Sequence, residues 1–336
     1  MSGSPSTADV ARTEAQRNDA PSPDAPLLLL SAQLPPPLKA VLQDRHASVT
    51  APTRDQMLAT ARAHADRIEM VVTTATDGAD AALIEALPKL RAICSLGVGL
   101  DALDLEAAKA RAVAVSYTPD VLNDCVADLA VGLLIDAARG MGRAERLVRR
   151  GDWPRIGPGA LGTRVSGRRL GILGLGRIGQ TIARRFAGFD MDIRYHTRTP
   201  REGVAWTHEP SLVELARWAD FLIVACAGGE ATRHLVDARV LDALGPQGIV
   251  VNIARGSVID EAALVLALQQ GRLGGAGLDV FDQEPQVPAA LMEMDNVVLL
   301  PHIGSATAQT RRAMGDLVLA NVEEFLGTGR LRTPAY

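Results

Sequence analysis

Three stretches of the chain carry side chains suited to acid–base chemistry beside an anion: "VNIARGSVID" with Arg255, "GLDVFDQEP" with Glu284 and "LLPHIGSAT" with His302. Each follows an apolar run of strand length, and in open α/β sheets ligands gather beyond the carboxyl ends of strands. A guanidinium there can hold a carboxylate, an imidazole can give or take a proton near neutral pH, and an acid can pair with that imidazole. Taken singly, each has a plainer reading. Arg255 before Gly256 could be a turn residue, Glu284 before Pro285 a surface acid and His302 after Pro301 an ordinary strand-end residue. Together they are the cation, acid and imidazole that reduction of a 2-oxo acid requires.

A fourth stretch, "GILGLGRIGQ" at 171–180, places Gly174, Gly176 and Gly179 in a G-x-G-x-x-G turn between an apolar strand and the helix "QTIARRFAGF". The first glycine permits the tight turn, the second lets a pyrophosphate approach the backbone and the third lets helix pack on strand. The N–H groups around Arg177 and Ile178, at the positive end of the helix dipole, then face the phosphates. The next strand should end in Asp or Glu to hold a ribose hydroxyl. It ends instead in "IRYHTRTP", with His196, Thr197 and Arg198. An acid there would repel a 2′-phosphate, whereas a guanidinium can bind one in a bidentate fashion. NADP(H) is therefore the expected cofactor, with Thr197 and Thr199 as further hydroxyl donors. The alternative is that Arg198 points into solvent and NAD(H) binds through other contacts.

These residues need a scaffold of alternating strands and helices. From residue 27 the chain reads "PLLLL" as strand, "PPPLKAVLQDR" as helix, "EMVVTTA" as strand, "DAALIEALPKL" as helix and "RAICSLGVG" as a strand entering a Gly-rich loop. Residues 120–140, "DVLNDCVADLAVGLLIDAARG", form a helix apolar on nearly every side, which is expected to be buried all round, either inside the fold or against a second subunit. After a polar segment at 141–168, strands follow at "RRLGILGLG", "MDIRYH", "ADFLIVAC", "GIVVNIA", "GGAGLDV" and "NVVLLPH", and then the helix "SATAQTRRAMGDLVLANVEEFLGTG". The expected fold class is α/β, with two Rossmann-like or flavodoxin-like domains built on parallel sheets, the nucleotide-binding domain inserted into the substrate domain. The expected division is a disordered tail at 1–25, the first part of the substrate domain at 26–118, the NAD(P)-binding domain at 119–303 and a helix at 304–336 returning to the substrate domain.

Six motifs occur in an order that resembles the D-isomer-specific 2-hydroxyacid dehydrogenase family, and within it the hydroxypyruvate/glyoxylate reductases: "SLGVGLDALDLEAA", "YTPDVLNDCVADLAVGLL", "GILGLGRIG", "NIARGSVIDEAAL", "GLDVFDQEP" and "PHIGSAT". The resemblance runs from about residue 27 to the C-terminus. It implies that Arg255, Glu284 and His302 form the catalytic set. His302 would donate a proton to the carbonyl oxygen, Glu284 would orient the imidazole and favour its charged form, and Arg255 would hold the substrate carboxylate. It further implies that Val98 and Gly99 offer backbone N–H groups to that carboxylate. Cys226, Ile253, Asp279 and Gly304 would border the cofactor, although Asp279 could equally cap a local turn. Trp153 in "RRGDWPR" resembles a Trp that some relatives send towards the partner's pocket, with core or interface packing as the other reading. One departure lies at "VACAGGEATRHLV", where relatives often carry Pro; Ala227, Gly228 and Gly229 should loosen that loop.

The resemblance implies an NADPH-preferring reductase of hydroxypyruvate and glyoxylate, with NAD(H) as second cofactor. A reductase of 2-ketogluconate or phenylpyruvate-type acids is the enzymatic alternative, and a cofactor-sensing, corepressor-like binding protein the alternative of another class. Formate oxidation is disfavoured, because Glu284 stands where Gln is expected. The 336 residues are 47% hydrophobic and 22% charged, with net charge −4, which gives no reason to expect nucleic acid or an anionic membrane as partner. Cys94, Cys125 and Cys226 lack metal-ligand spacing, so no metal site and no disulfide framework is expected. Asp9, Glu14 and Asp19 argue against a transit peptide, and a cytoplasmic homodimer is expected.

Overall fold

A computed structural model describes residues 25–336. The tail expected to be disordered, with Asp9, Glu14 and Asp19, lies outside the described residues but for its last position. The described residues form two compact units: one holds 25–96, Ala102–Tyr117 and Gly315–Tyr336, the other Gly97–Asp101 and Thr118–Met314. The second unit is thus inserted into the first, and it includes the short Gly97–Asp101 loop.

The first unit is built on a five-stranded parallel sheet: β1 (Leu27–Leu30), β2 (Ser48–Thr50), β3 (Ile68–Thr74), β4 (Ala92–Leu96) and β5 (Ala114–Ser116), in the order β2-β1-β3-β4-β5. All of β1 is buried, as a strand covered on both faces must be. The connecting helices are α1 (Pro36–Arg45), α2 (Met57–Ala63), α3 (Ala81–Glu85) and α4 (Leu105–Ala110). Asp80 and Asp104 cap α3 and α4 by accepting from Leu83 N and Ala107 N. The eleven-residue helix expected at "DAALIEALPKL" ends at Glu85, because Pro88 lies too close for it to continue. Arg111 Nη2 then donates to Leu87 O at 2.8 Å and satisfies a carbonyl that a longer helix would have used.

The second unit carries seven parallel strands: β6 (Arg169–Leu173), β7 (Asp192–His196), β8 (Thr207–His208), β9 (Phe221–Val224), β10 (Ile249–Asn252), β11 (Gly275–Leu278) and β12 (Val297–Leu299). Their order is β12-β11-β10-β9-β6-β7-β8, so strand addition reverses between β6 and β9. That reversal is the switch point beside which open α/β sheets bind ligands. Its helices are α5 (Asn123–Arg139), α6 (Met141–Arg149), α7 (Trp153–Ile156), α8 (Arg177–Phe186), α9 (Leu212–Trp218), α10 (Ala238–Leu244), α11 (Glu261–Gln269) and α12 (Ala289–Met292); α13 (Ala308–Thr328) starts in this unit and from Gly315 onward belongs to the first.

Within this chain helix α5 buries one face only: Val126, Ala127, Ala130, Leu133, Leu134 and Ala138 face inward, while Asp124, Asp128, Gly132 and Arg139 are exposed, so the fold alone does not bury it all round. Its start is delayed to Asn123 by Pro119 and by Asp120, whose φ of +68° is left-handed. Leu133 packs onto β11 so closely that a Cβ on Gly277 would lie 2.7 Å from Leu133 Cγ. Among the described residues no helix is long and apolar enough to cross a membrane, and no group of three His, Cys, Asp or Glu is placed to hold a metal ion. All three cysteines are free thiols, with Cys94 buried and the other two half-buried. Burial pushes the Cys94 thiol up to about 12 and that of Cys226 up to about 11.

Candidate active site

The β6–α8 turn gives its three glycines three different surroundings. Gly174 has φ +96°, and a Cβ there would lie 2.5 Å from the backbone of Cys226, at the end of neighbouring β9. A Cβ on Gly179 would lie 2.1 Å from Gly174 O, so helix and strand approach through it. Gly176 differs, with no atom within 4 Å of where its Cβ would be. Packing therefore explains the first and third glycines, whereas the second leaves a space at the N-terminus of α8, which has no side-chain cap. Uncapped N–H groups beside an open space fit a pyrophosphate.

Gly174 N donates to His196 O at 2.9 Å, which ties this turn to the end of β7. There His196 Nδ1 donates to Glu209 O at 2.9 Å, and Thr197 Oγ1 donates to Thr199 O at 2.7 Å. The Thr197 hydroxyl proton is thus engaged inside the loop rather than offered outward. Arg198 and Thr199 are exposed, and Arg198 makes no ion pair among the described residues. Arg177 pairs with Asp120 at 3.0 Å.

At the end of β10 the buried Asn252 folds the chain back on itself, its Nδ2 donating to Arg255 O at 2.9 Å and its Oδ1 accepting from Ala254 N at 3.0 Å. This turn aims Arg255 and holds Ile253 and Ala254 nearly buried. The Arg255 Nε donates to both Asp101 oxygens, at 3.2 and 3.0 Å, and Nη1 donates to Ala254 O at 2.8 Å. The N–H groups of Val98 and Gly99, in the same loop as Asp101, meet no acceptor among the described residues. In the 227–229 loop the Thr232 hydroxyl is shared between Ala227 O and Gly229 O, at 2.8 and 3.1 Å. Gly228 is glycine for a packing reason, since a Cβ would lie 2.5 Å from Arg255 Cγ.

The strand ends of β11 and β12 are joined by Asp279, which is 1% exposed. Its backbone oxygen accepts from His302 N at 2.9 Å, and its carboxylate accepts from Ile303 N at 2.7 Å and Gly304 N at 2.8 Å. Asp279 thus displays the turn-capping role. Three bonds fix His302 in a left-handed conformation, φ +54°, that a non-glycine residue adopts only when its surroundings impose it. Burial raises the Asp279 pKa, because the two backbone N–H groups do not fully offset desolvation.

Beyond β11, Glu284 Oε1 accepts from Phe281 N at 3.0 Å and Oε2 accepts from His302 Nδ1 at 2.8 Å. Burial would raise the Glu284 pKa. The His302 hydrogen bond and charge, the Phe281 N–H and the Arg255 charge together outweigh burial and hold it below the usual carboxylate range. With Nδ1 committed to Glu284, the imidazole presents Nε2 for proton transfer. The structure therefore brings Arg255, Glu284 and His302 into one electrostatic group. Trp153, at the start of α7, is 56% exposed and is not part of the core formed by the described residues. Sequence reasoning missed Asp101, Asn252 and the Phe281 N–H; Asp101 stood inside the quoted loop, but only that loop's backbone had been considered.

Residues 131–304 match the family described as "D-isomer specific 2-hydroxyacid dehydrogenase, NAD binding domain". The chain is 48% identical over 285 residues to glyoxylate/hydroxypyruvate reductase A of Arabidopsis thaliana, covering 85% of this chain and 90% of that protein. It is 40% identical over 270 residues to 2-ketogluconate reductase of Gluconobacter oxydans, covering 80% and 87%. Among solved structures, an NADPH-dependent glyoxylate/hydroxypyruvate reductase from Sinorhizobium meliloti, in complex with NADP and malonate, superposes with a TM-score of 0.88 at 43% identity, covering 93% of this chain and 97% of that one. The chain belongs to the D-isomer specific 2-hydroxyacid dehydrogenase family.

Proposed function

We propose that this protein reduces short 2-oxo acids to D-2-hydroxy acids, hydroxypyruvate to D-glycerate and glyoxylate to glycolate, with NADPH preferred over NADH. The observation that carries the reading is the His302–Glu284 pair at 2.8 Å, with the Arg255 charge acting on the same carboxylate. When bound, the reduced nicotinamide supplies a hydride to the carbonyl carbon. Gly174, Gly176 and Gly179, with the N–H groups of Arg177 and Ile178, hold the pyrophosphate, while Arg198, with Thr197 and Thr199 beside it, holds the 2′-phosphate. Cys226, Ile253, Asp279 and Gly304 border the cofactor at the ends of β9, β10, β11 and β12. Arg255 and the N–H groups of Val98 and Gly99 hold the substrate carboxylate. His302 Nε2 gives its proton to the carbonyl oxygen as charge develops there, and Glu284 stabilises the imidazolium and fixes its Nδ1 tautomer. The imidazole side chain is 36% exposed, so solvent can reprotonate it.

Two relatives, named for glyoxylate/hydroxypyruvate and for 2-ketogluconate, set the substrates to compare. A panel of 2-oxo acids including phenylpyruvate, assayed with NADPH and NADH, tests the reading. His302→Ala should lower kcat by about two to four orders of magnitude, the range of a positioned acid–base group, while cofactor affinity stays. Undiminished turnover would remove the mechanism. A cofactor sensor would bind NADPH without consuming it.

The working unit of the proposal is a cytoplasmic homodimer. Met141, Val148, Trp153, Ile156 and Leu161 are exposed along one stretch of chain, apolar side chains that a partner subunit would cover. Trp153 would then meet the partner subunit. Sedimentation showing a stable monomer at assay concentration would defeat this.

A further inference from the structure

Two glycines lie against the Arg255 side chain, Gly99 at the guanidinium and Gly228 at its aliphatic stem. A Cβ on Gly99 would lie 1.6 Å from Arg255 Nη2, and one on Gly228 would lie 2.5 Å from Arg255 Cγ. Glycines admit the side chain but offer no wall of side-chain atoms to restrain it. The polar anchors are Ala254 O on Nη1 and Asp101, whose two oxygens both accept from Nε. The ion pair is mostly withdrawn from solvent, with side-chain exposures of 24% for Arg255 and 23% for Asp101.

We infer that Asp101 is a positioning residue for the reaction: by occupying Nε it turns the Nη1 and Nη2 edge of Arg255 outward as the fork that receives the substrate carboxylate. A guanidinium has five N–H donors in a fixed plane. With Nε turned to Asp101 and one Nη1 proton turned to Ala254 O, a carboxylate must approach end-on, along Nη1 and Nη2. Nη2 lies against Gly99, whose own N–H is without an acceptor among the described residues. Without Asp101, Nε loses its acceptor and the guanidinium is free to swing about its stem. Asp101 also balances the Arg255 charge while no substrate is present. This inference rests on the proposed role of Arg255 as carboxylate holder.

The test is a double-mutant cycle in the full-length protein. Asp101→Ala should raise KM for hydroxypyruvate by about one to two orders of magnitude, the span of a charge-assisted hydrogen bond. Asp101→Asn, which keeps one acceptor oxygen, should restore most of that loss. The dissociation constant for NADPH, read by fluorescence quenching, should be unchanged in both. In an Arg255→Ala background the Asp101→Ala effect on KM should vanish, because the residue acts only through the guanidinium. An equal KM penalty in both backgrounds would overturn the inference by showing a structural role. So would an unaltered KM in Asp101→Ala alone. If Arg255→Ala itself left KM unchanged, the carboxylate-holding role would fall, and this inference with it.

Discussion

Gly176→Ala separates a glycine needed by the fold from one needed by a ligand. Gly176 has φ −77° and ψ −162°, an extended conformation open to any residue, and its Cβ would find no atom within 4 Å. The substitution therefore introduces no clash and no backbone strain. Loss of unfolded-state freedom favours Ala by roughly 0.4–1 kcal/mol, while the N-cap position disfavours it by a comparable amount, about 1 kcal/mol. The two nearly cancel, so Tm should move by no more than about 4 °C. The same methyl group stands where a pyrophosphate would approach the α8 N-terminus. Displacing even one charge-assisted hydrogen bond to that end costs about 1.5–3 kcal/mol, or roughly one to two orders of magnitude in Kd. Titration of the variant with NADPH and with NADH should show the same loss for both, since the pyrophosphate is common to them. Unchanged affinity with an unchanged Tm would refute the assignment of this turn to phosphate.

Arg198→Ala should act on NADPH alone, raising its Kd by roughly one to two orders of magnitude while leaving that for NADH nearly unaltered; equal losses would show that Arg198 supports the loop and not a 2′-phosphate. Glu284→Gln tests the acid partner through pH. Glu284 is held below its usual pKa, so its pairing stabilises the fold above the unfolded glutamate pKa of about 4.3 and is lost as pH falls through the lower folded value. The Tm deficit of Glu284→Gln should accordingly be present at neutral pH and shrink on acidification through that window, as thermal melts would show. Its kcat at neutral pH should also fall, because the imidazole loses the carboxylate acceptor that fixes its Nδ1 tautomer; an unaltered kcat would remove Glu284 from the proton transfer.

Much of the scaffold was legible because its signals are local. Buried parallel strands read as continuous apolar runs, and Arg255, Glu284 and His302 could be placed at strand ends from those runs alone. Helix α5 shows a local signal that was present and overlooked. Asp124, Asp128 and Gly132 recur every four residues and Arg139 follows seven later, a stripe along one face that marks the exposed side, yet the abundance of Val, Leu and Ile between them suggested burial all round. The site's supports are of another kind. Asp101 and Arg255 are 154 positions apart in the chain, and the Asp279 bonds to Ile303 and Gly304 span 24 and 25. No periodicity or turn rule relates residues at such distances; only the tertiary fold brings them together.

Glycine shows why sequence alone stops short of the site. Gly99, Gly174, Gly176, Gly179 and Gly228 are one letter; four sit in turns or loops and Gly179 in the first turn of α8. The structure separates them by what a Cβ would meet: backbone at Gly174 and Gly179, the Arg255 side chain at Gly99 and Gly228, and nothing at Gly176. Backbone cannot retreat, so alanine at 174 or 179 should damage the β6–α8 turn itself. A guanidinium tip can retreat, so alanine at 99 should leave the fold intact and displace the group that receives the substrate. Open space resists nothing, so alanine at 176 should be felt only when a phosphate arrives. The same substitution thus reports on folding, substrate binding or cofactor binding according to position, and a matched set of Tm, KM and cofactor Kd values across these sites would distinguish a built active site from a merely glycine-rich sheet edge.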